Sequence, residues 1–390
     1  MKKQILLSFI FILLISQNVY SSEKIKIFYS GFSFSNSYES NKNLTKYTSK
    51  LIKKRAADKK IDIISESLLK IVREESFTNI SLDTKNLLDF KKYPDNAIVM
   101  AVALQHEEFS QEYNSSIKKY SGFYDAYFQI LFYDFSDRSL IAAIPFEFEI
   151  PILSSKKLDE KNILKRINNF YLKDQPFKQI VKIINRYNIK QKYDLRIGVT
   201  NVNIQERAFK DMPQNTKNNQ NYMKNLIAQS FSKRLSENHN VAIVPFTEGQ
   251  AIGKSMKLKF VQSDKIYDIK LPNPDYHIEL NIKGFKKVLA QSTAVEDLFL
   301  YGSFINFKIY QPELNKYYFD ETLRGVTQVK IPKEQSDIND WRKYYYNLEI
   351  LFDDFSKNII KQDKKWLKKA TKKKIKKEIK NLNLIIDKLK

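Results

Sequence analysis

The sequence predicts an α/β (α+β) protein built as two tandem β-α-β-(α)-β-β-β-α modules. Each is a mixed sheet with packed helices, and a basic C-terminal helix follows the second. Three observations lead there. Residues 195–282 read strand, helix, strand, irregular excursion, strand, as LRIGVTNV, NYMKNLIAQSFSKRLSENHN, VAIVPF and PDYHIELNI. Residues 25–104 repeat that plan. Landmarks also recur at nearly constant offset: Lys54-Arg55 and Lys233-Arg234 are 179 apart, Pro94-Asp95 and Pro274-Asp275 are 180 apart, and Pro151 and Pro332 are 181 apart. A duplicated module produces such offsets.

In order, residues 1–21 read as a signal peptide, 22–172 as the first module, 173–193 as a helical linker, 194–362 as the second module and 363–390 as a Lys-rich amphipathic helix. Lys2 and Lys3, an apolar run from Ile5 to Ile15, and Val19 and Ser21 before Ser22 make the secretory pattern. The run is shorter than the roughly 20 residues a bilayer span needs; an uncleaved anchor is the alternative. KIKIFYSGFSF (24–34) alternates like a strand. Leu44, Tyr47, Leu51, Ile52 and Ala56 keep helical spacing, KKIDIIS (59–65) reads as a short strand, and Leu68, Leu69, Ile71 and Val72 as a further helix. AIVMAVAL (97–104) suits a strand buried on both faces. YDAYFQILFYDF and SLIAAIPFEFEIPI flank a turn at 136–138 and predict a hairpin. Helices follow with faces Ile163, Ile167, Phe170, Tyr171 and then Phe177 to Tyr187. The second copy has its hairpin at 304–311 and 317–331, and a helix with face Trp341, Tyr344, Leu348, Leu351, Phe355 and Ile359.

The chain has no cysteine among its 390 residues, which removes disulfides, thiolate metal sites and Cys nucleophiles. Formal charge is +23. Thirteen lysines against Asp363, Glu378 and Asp387 put 13 − 3 = +10 in residues 361–390. Such charge points to nucleic acid, anionic lipid or acidic polymer, and export argues against the first.

Catalytic signals are thin. GQAIGKS (249–255) has three residues between its glycines where a phosphate loop needs four, so no nucleotide or other cofactor is expected. His106, His239 and His277 lack paired metal spacing, and each reads as solvent-facing or locally hydrogen-bonded. Glu147 and Glu149 share one face of a strand and read as its wet side; the sharper alternative is a glycosidase pair. Asp353-Asp354 reads as solvated. The tail is the best candidate site. Ile375, Ile379, Leu382, Ile386 and Leu389 form a 4-3-4-3 seam, and Lys364, Lys365, Trp366, Lys368, Lys369, Lys372, Lys373, Lys374, Lys376 and Lys377 form an anionic-surface binding set. Such a helix lies on an anionic membrane or docks on its own domain.

LIAQSFSKRL, VAIVPF and PDYHIELNIKGF, with Pro245-Phe246 and Pro274-Asp275-Tyr276, resemble the periplasmic α/β domain of the TolB amino-terminal and curli-secretion channel group. The resemblance covers 195–360 directly and 25–172 through the repeat. The chain departs from that group in lacking a lipid-anchoring Cys, a recognisable barrel-forming insertion and a propeller. The resemblance implies an exported, non-enzymatic envelope scaffold or assembly protein with envelope-protein partners in the periplasm. The alternative function is a periplasmic hydrolase of peptidoglycan or glycan.

Overall fold

The structure, a computed structural model, describes residues 24–35, 42–56, 62–85, 93–173, 175–217, 219–247, 255–261, 266–335 and 338–390. The signal-like segment and nearly all of GQAIGKS lie outside the described residues.

The first half runs β1 (Ile25–Ser35), a 3-10 turn (Lys42–Thr45), α1 (Lys46–Ala56), α2 (Ile63–Glu74), β2 (Ile80–Asp83), β3 (Ile98–Asn114), β4 (Lys119–Asp134), β5 (Leu140–Ser154), α3 (Glu160–Lys173) and α4 (Lys178–Ile184). The second runs β6 (Ile197–Ile204), α5 (Glu206–Lys210), α6 (Gln214–Lys217), α7 (Gln220–His239), β7 (Ile243–Val244), β8 (Ser255–Phe260) and β9 (Ile266–Lys270). It continues through β10 (Tyr276–Ser292), β11 (Glu296–Gln311), β12 (Lys316–Pro332), α8 (Asp340–Lys361), α9 (Lys364–Ala370) and α10 (Lys376–Leu389).

Strand pairing repeats between the halves. β1 is parallel to β2 on one side and β3 on the other, and β3-β4-β5 is an antiparallel meander. β6 is parallel to β7 and β10, and β10-β11-β12 is again an antiparallel meander. Both sheets are mixed and both carry packed helices, as the sequence predicts.

Two expectations change. The excursion after β7 is ordered in part as the hairpin β8–β9, and it joins the other half's sheet: Ser33 of β1 pairs with Phe260 and Ser35 with Leu258. The second half therefore lends a hairpin to the sheet of the first. Of KKIDIIS, residues 59–61 lie outside the described residues, and 62–65 form no strand. Asp62 N-caps α2, accepting from the Ile64 and Ser65 amides at 3.0 Å, and Ile64, Leu68, Leu69, Ile71 and Val72 are buried at helical spacing. The strand in that topological place is β2. Ile80 stands 243 − 80 = 163 residues before Ile243 of β7, so Lys54-Arg55 and Lys233-Arg234 do not mark equivalent places.

Layering explains α7. One face of the first sheet (Met100, Val102, Leu104, Phe128, Phe146) packs against α2, α3 and α4 through Leu68, Ile167 and Ile180. The other face meets β8–β9 and α7, and the opposite side of α7 packs on the second sheet, where Phe231 lies 5.5 Å from Phe307. Covered on two sides, α7 buries polar residues as well as apolar ones: Gln229, Ser232, Lys233 and Ser236 are all inside. Among the described residues no helix covers the second face of the second sheet, and β10 alternates accordingly, with Ile278, Leu280 and Ile282 buried and Glu279 and Asn281 between them half-buried.

Candidate functional site: a cationic C-terminal surface

Gln362 turns the chain out of α8 with a left-handed φ of 51°. Asp363 then N-caps α9, its carboxylate accepting from the Lys365 amide at 2.7 Å. Thr371 ends α9 in an extended conformation, and α10 starts past Ile375. The tail is thus two helices rather than one. Ile375, Ile379, Leu382, Ile385, Ile386 and Leu389 are all buried, and α10 packs on α8 and β12. The apolar seam is docked on its own domain. Trp366 is half-buried, its Nε1 donating to Asp354 at 3.1 Å, and the seam itself faces the domain rather than a membrane.

Docking fixes the lysines. With the apolar side facing inward, Lys364, Lys365, Lys368, Lys369, Lys372, Lys373, Lys374, Lys376 and Lys377 are all exposed. No carboxylate interrupts residues 364–377. Among the described ion pairs only Lys373 of this set has a partner, Glu321 of β12 at 2.8 Å, which holds the Lys373 ammonium above its ordinary pKa. Arg324 of β12 donates to the Lys369 carbonyl at 2.8 Å and ties the patch to the sheet edge. Like charges crowded along one short exposed stretch repel one another, and an anionic surface relieves that repulsion.

The other sequence candidates are placed differently. Glu147 is not on a wet face. Lys233 and Arg234 of α7 both pair with it, because the second half covers that side of the sheet. Glu149 stays 49% exposed near Arg342. With Glu147 paired to α7 and Glu149 open near Arg342, the two carboxylates do not converge as a catalytic pair would. His106 is buried and stacks on Tyr127 at 4.1 Å, and burial pushes its imidazole down to about 3. His239 is buried at the end of α7, its Nε2 2.9 Å from the Ser356 carbonyl, and burial lowers it to about 4. Neither faces solvent. His277 stands beside Tyr310, centroids 5.4 Å apart. Asp353 and Asp354 are engaged rather than solvated: Asn238 donates to Asp353 at 3.0 Å, and Trp366 bonds Asp354.

Sequence reasoning missed a buried ionic cluster between the halves. Past a bulge between Leu104 and His106, strand alternation sends the successive glutamates of β3 to opposite faces. Glu107 faces α1 and accepts from the Tyr47 amide (2.6 Å), the Thr48 amide (2.8 Å), the Thr48 hydroxyl (2.7 Å) and the Tyr124 hydroxyl (2.5 Å). Glu108 faces the second half, where Tyr222 of α7 donates to it at 3.4 Å. Arg342 reaches Asp125 of β4 at 2.7 Å, and Lys343 reaches Glu112 at 3.2 Å. Burial raises the carboxyls of Glu107, Glu108 and Glu237, that of Asp125 to about 6 and that of Glu349 to about 8. Across the junction, Glu112, Asp125 and Glu147 of the first half pair with Lys343, Arg342, Lys233 and Arg234 on helices of the second, which also contribute the acids Glu237 and Glu349. The only signal in the sequence is QHEEF directly after an apolar strand.

No family model matches the chain, and no curated protein matches it. Among solved structures, one titled a neuraminyllactose-binding hemagglutinin homolog from Helicobacter pylori is 11% identical, with 41% of this chain and 85% of that one covered and a TM-score of 0.25. A minor lipoprotein from Acinetobacter baumannii is 13% identical, with 44% and 95% covered and a TM-score of 0.20. Neither is described as a TolB or curli-secretion protein.

Proposed function

We propose that this is an exported cell-envelope binding protein, of the scaffold or assembly kind, that adheres to an anionic surface through its C-terminal lysines. The observation that carries the reading is the fixed, solvent-facing lysine set of residues 364–377, uninterrupted by acid and held in place by a buried seam. Each lysine near an anionic surface contributes about 1 kcal/mol before screening, so the set suffices for adhesion without apolar insertion of the tail. The secretory pattern of residues 1–21 supports export. Among the described residues no helix is long and apolar enough to cross a membrane. The hydrolase reading loses its motive, because Glu147 is locked beneath α7.

Lipid headgroups and cell-wall polymer share the anionic chemistry, and two assay arms separate them. The variant Lys368→Gln, Lys369→Gln, Lys372→Gln, Lys374→Gln removes four exposed charges without touching the seam. Its affinity for anionic vesicles, or for isolated sacculi, should fall at least about tenfold, which corresponds to roughly 1.4 kcal/mol. Unchanged affinity on both surfaces would reject the tail as the contact. Amino-terminal sequencing of the mature chain reads out cleavage after Ser21 against an uncleaved anchor.

A further inference from the structure

Strands β10, β11 and β12 are 17, 16 and 17 residues long, and their far end leaves the core. Val288 is 40% exposed, Leu289 52%, Val295 at the β10–β11 turn 74% and Val326 55%. Ala290 and Ala294 are exposed beside them, and Leu298 and Leu300 are half-buried. The register sets Val288 opposite Leu300, and Gly302 opposite both Lys286 and Val326. Val288, Leu300 and Val326 therefore share the face that no helix covers. On the reverse face, Phe285 stacks on Tyr344 at 5.1 Å and Tyr301 meets Tyr344 at 5.3 Å. This packing fastens the strand end to α8 and makes it a stiff projection rather than a loose loop.

Its charges suit one occupant. Residues 283–300 and 324–333 hold Lys283, Lys286, Lys287, Arg324, Lys330 and Lys333 against Glu296 and Asp297, so 6 − 2 = +4. Both carboxylates are neutralised, Glu296 by Lys330 at 2.6 Å and Asp297 by Lys333 at 2.7 Å. Lys287 pairs with Asp340 at 2.9 Å. Lys283, Lys286 and Arg324 remain in excess around an apolar end. A second copy would bring like charges together; an anionic bilayer would neutralise them and bury the apolar side chains. Among the described residues no strand pairs with β10 past Ile282 on its β6 side, where the Arg207 side chain bonds the Lys283 carbonyl. Unpaired backbone groups do not enter hydrocarbon, so the depth is interfacial.

We propose that the β10–β11 end, with Val288, Leu289, Val295, Leu300 and Val326, enters the headgroup–acyl boundary of an anionic bilayer. This rests on the reading of the protein as one that adheres to an anionic surface, and adds the element that penetrates it. The chain has no cysteine, so Val295→Cys carries a single environment-sensitive fluorophore on the full chain. Glu313→Cys, at the opposite turn, is the control. With vesicles of equal phosphatidylglycerol and phosphatidylcholine, the label at 295 should brighten several-fold and shift to the blue, and the label at 313 should not. If the chain sediments with those vesicles and the label at 295 stays unchanged, the penetration proposal is overturned and the tail reading stands. A response at 295 that survives the four Lys→Gln changes at undiminished affinity supports penetration and removes the tail. A shift at 295 without lipid, growing with protein concentration, shows a second copy as occupant and overturns the proposal.

Discussion

Arg342→Leu should destabilise the protein by about 3 kcal/mol at pH 8, because removing one partner of a buried ion pair strands the other. Arg342 sits at the start of α8 and donates to Asp125 at 2.7 Å. The Asp125 side chain is 6% exposed and Arg342 is 22% exposed. The guanidinium also lies over Phe123, 4.8 Å from the ring centroid, and its charge lowers Glu108 and Glu349 as well as Asp125. Leucine keeps most of the apolar stem and none of the charge, so three buried carboxyls lose a cation together. They recover by taking up protons. The loss should shrink at pH 5, where Asp125, already pushed up to about 6 by burial, is protonated. Urea unfolding at the two pH values measures both. A loss below about 0.5 kcal/mol at pH 8 would match an exposed pair and contradict a buried latch between the halves.

The native protein should be more stable at pH 6.5 than at pH 8.5, the reverse of a protein held by low-pKa carboxylates. Burial raises the folded pKa of Glu349 to about 8 and of Asp125 to about 6, with Glu107, Glu108 and Glu237 shifted the same way. A raised carboxyl binds its proton more tightly folded than unfolded. Its contribution is complete below the unfolded value and is lost as pH rises through the folded one. Between pH 6.5 and 8.5 Glu349 governs, because its buried carboxyl gives up its proton in that range only at a cost to the folded state. His106 and His239 work oppositely. Their folded values are lowered to about 3 and about 4, so their contribution is present above 6.5 and fades as pH falls toward those values. The carboxyl gain is therefore offset in acid. Thermal midpoints across pH 5 to 9 check this, and a midpoint that climbs steadily from pH 6.5 to 8.5 would contradict it.

Periodicity reported what each element does locally and was silent on what covers it from afar. The alternation of PDYHIELNI, the continuous apolar run of AIVMAVAL and the helix faces around Ile167 and Leu348 each correspond to an element with that burial. KKIDIIS misled because so short a stretch, with three isoleucines about Asp62, fits either period; the capping carboxylate of Asp62 decided for helix. Glu147 looked solvated because a strand with alternating FEFEI reads the same whether water or α7 lies over its second face. The destination of β8–β9 could not be inferred locally, since its partner, β1, lies more than two hundred residues earlier. For the tail, the lysines were legible as a charged run and the 4-3-4-3 seam as a buried line. That the seam buries itself against α8 and β12, leaving the charges outward, is a tertiary fact.

The most direct measurement is the association of the intact mature chain with anionic vesicles and with sacculi as salt is raised. A contact made by the lysines of residues 364–377 should be strong at low ionic strength. It should weaken at least about tenfold as the screening length falls from about 30 Å at 0.01 M to about 8 Å at 0.15 M, and be absent on purely zwitterionic vesicles. Association that ignores salt, or that is equal on zwitterionic and anionic surfaces, would contradict it.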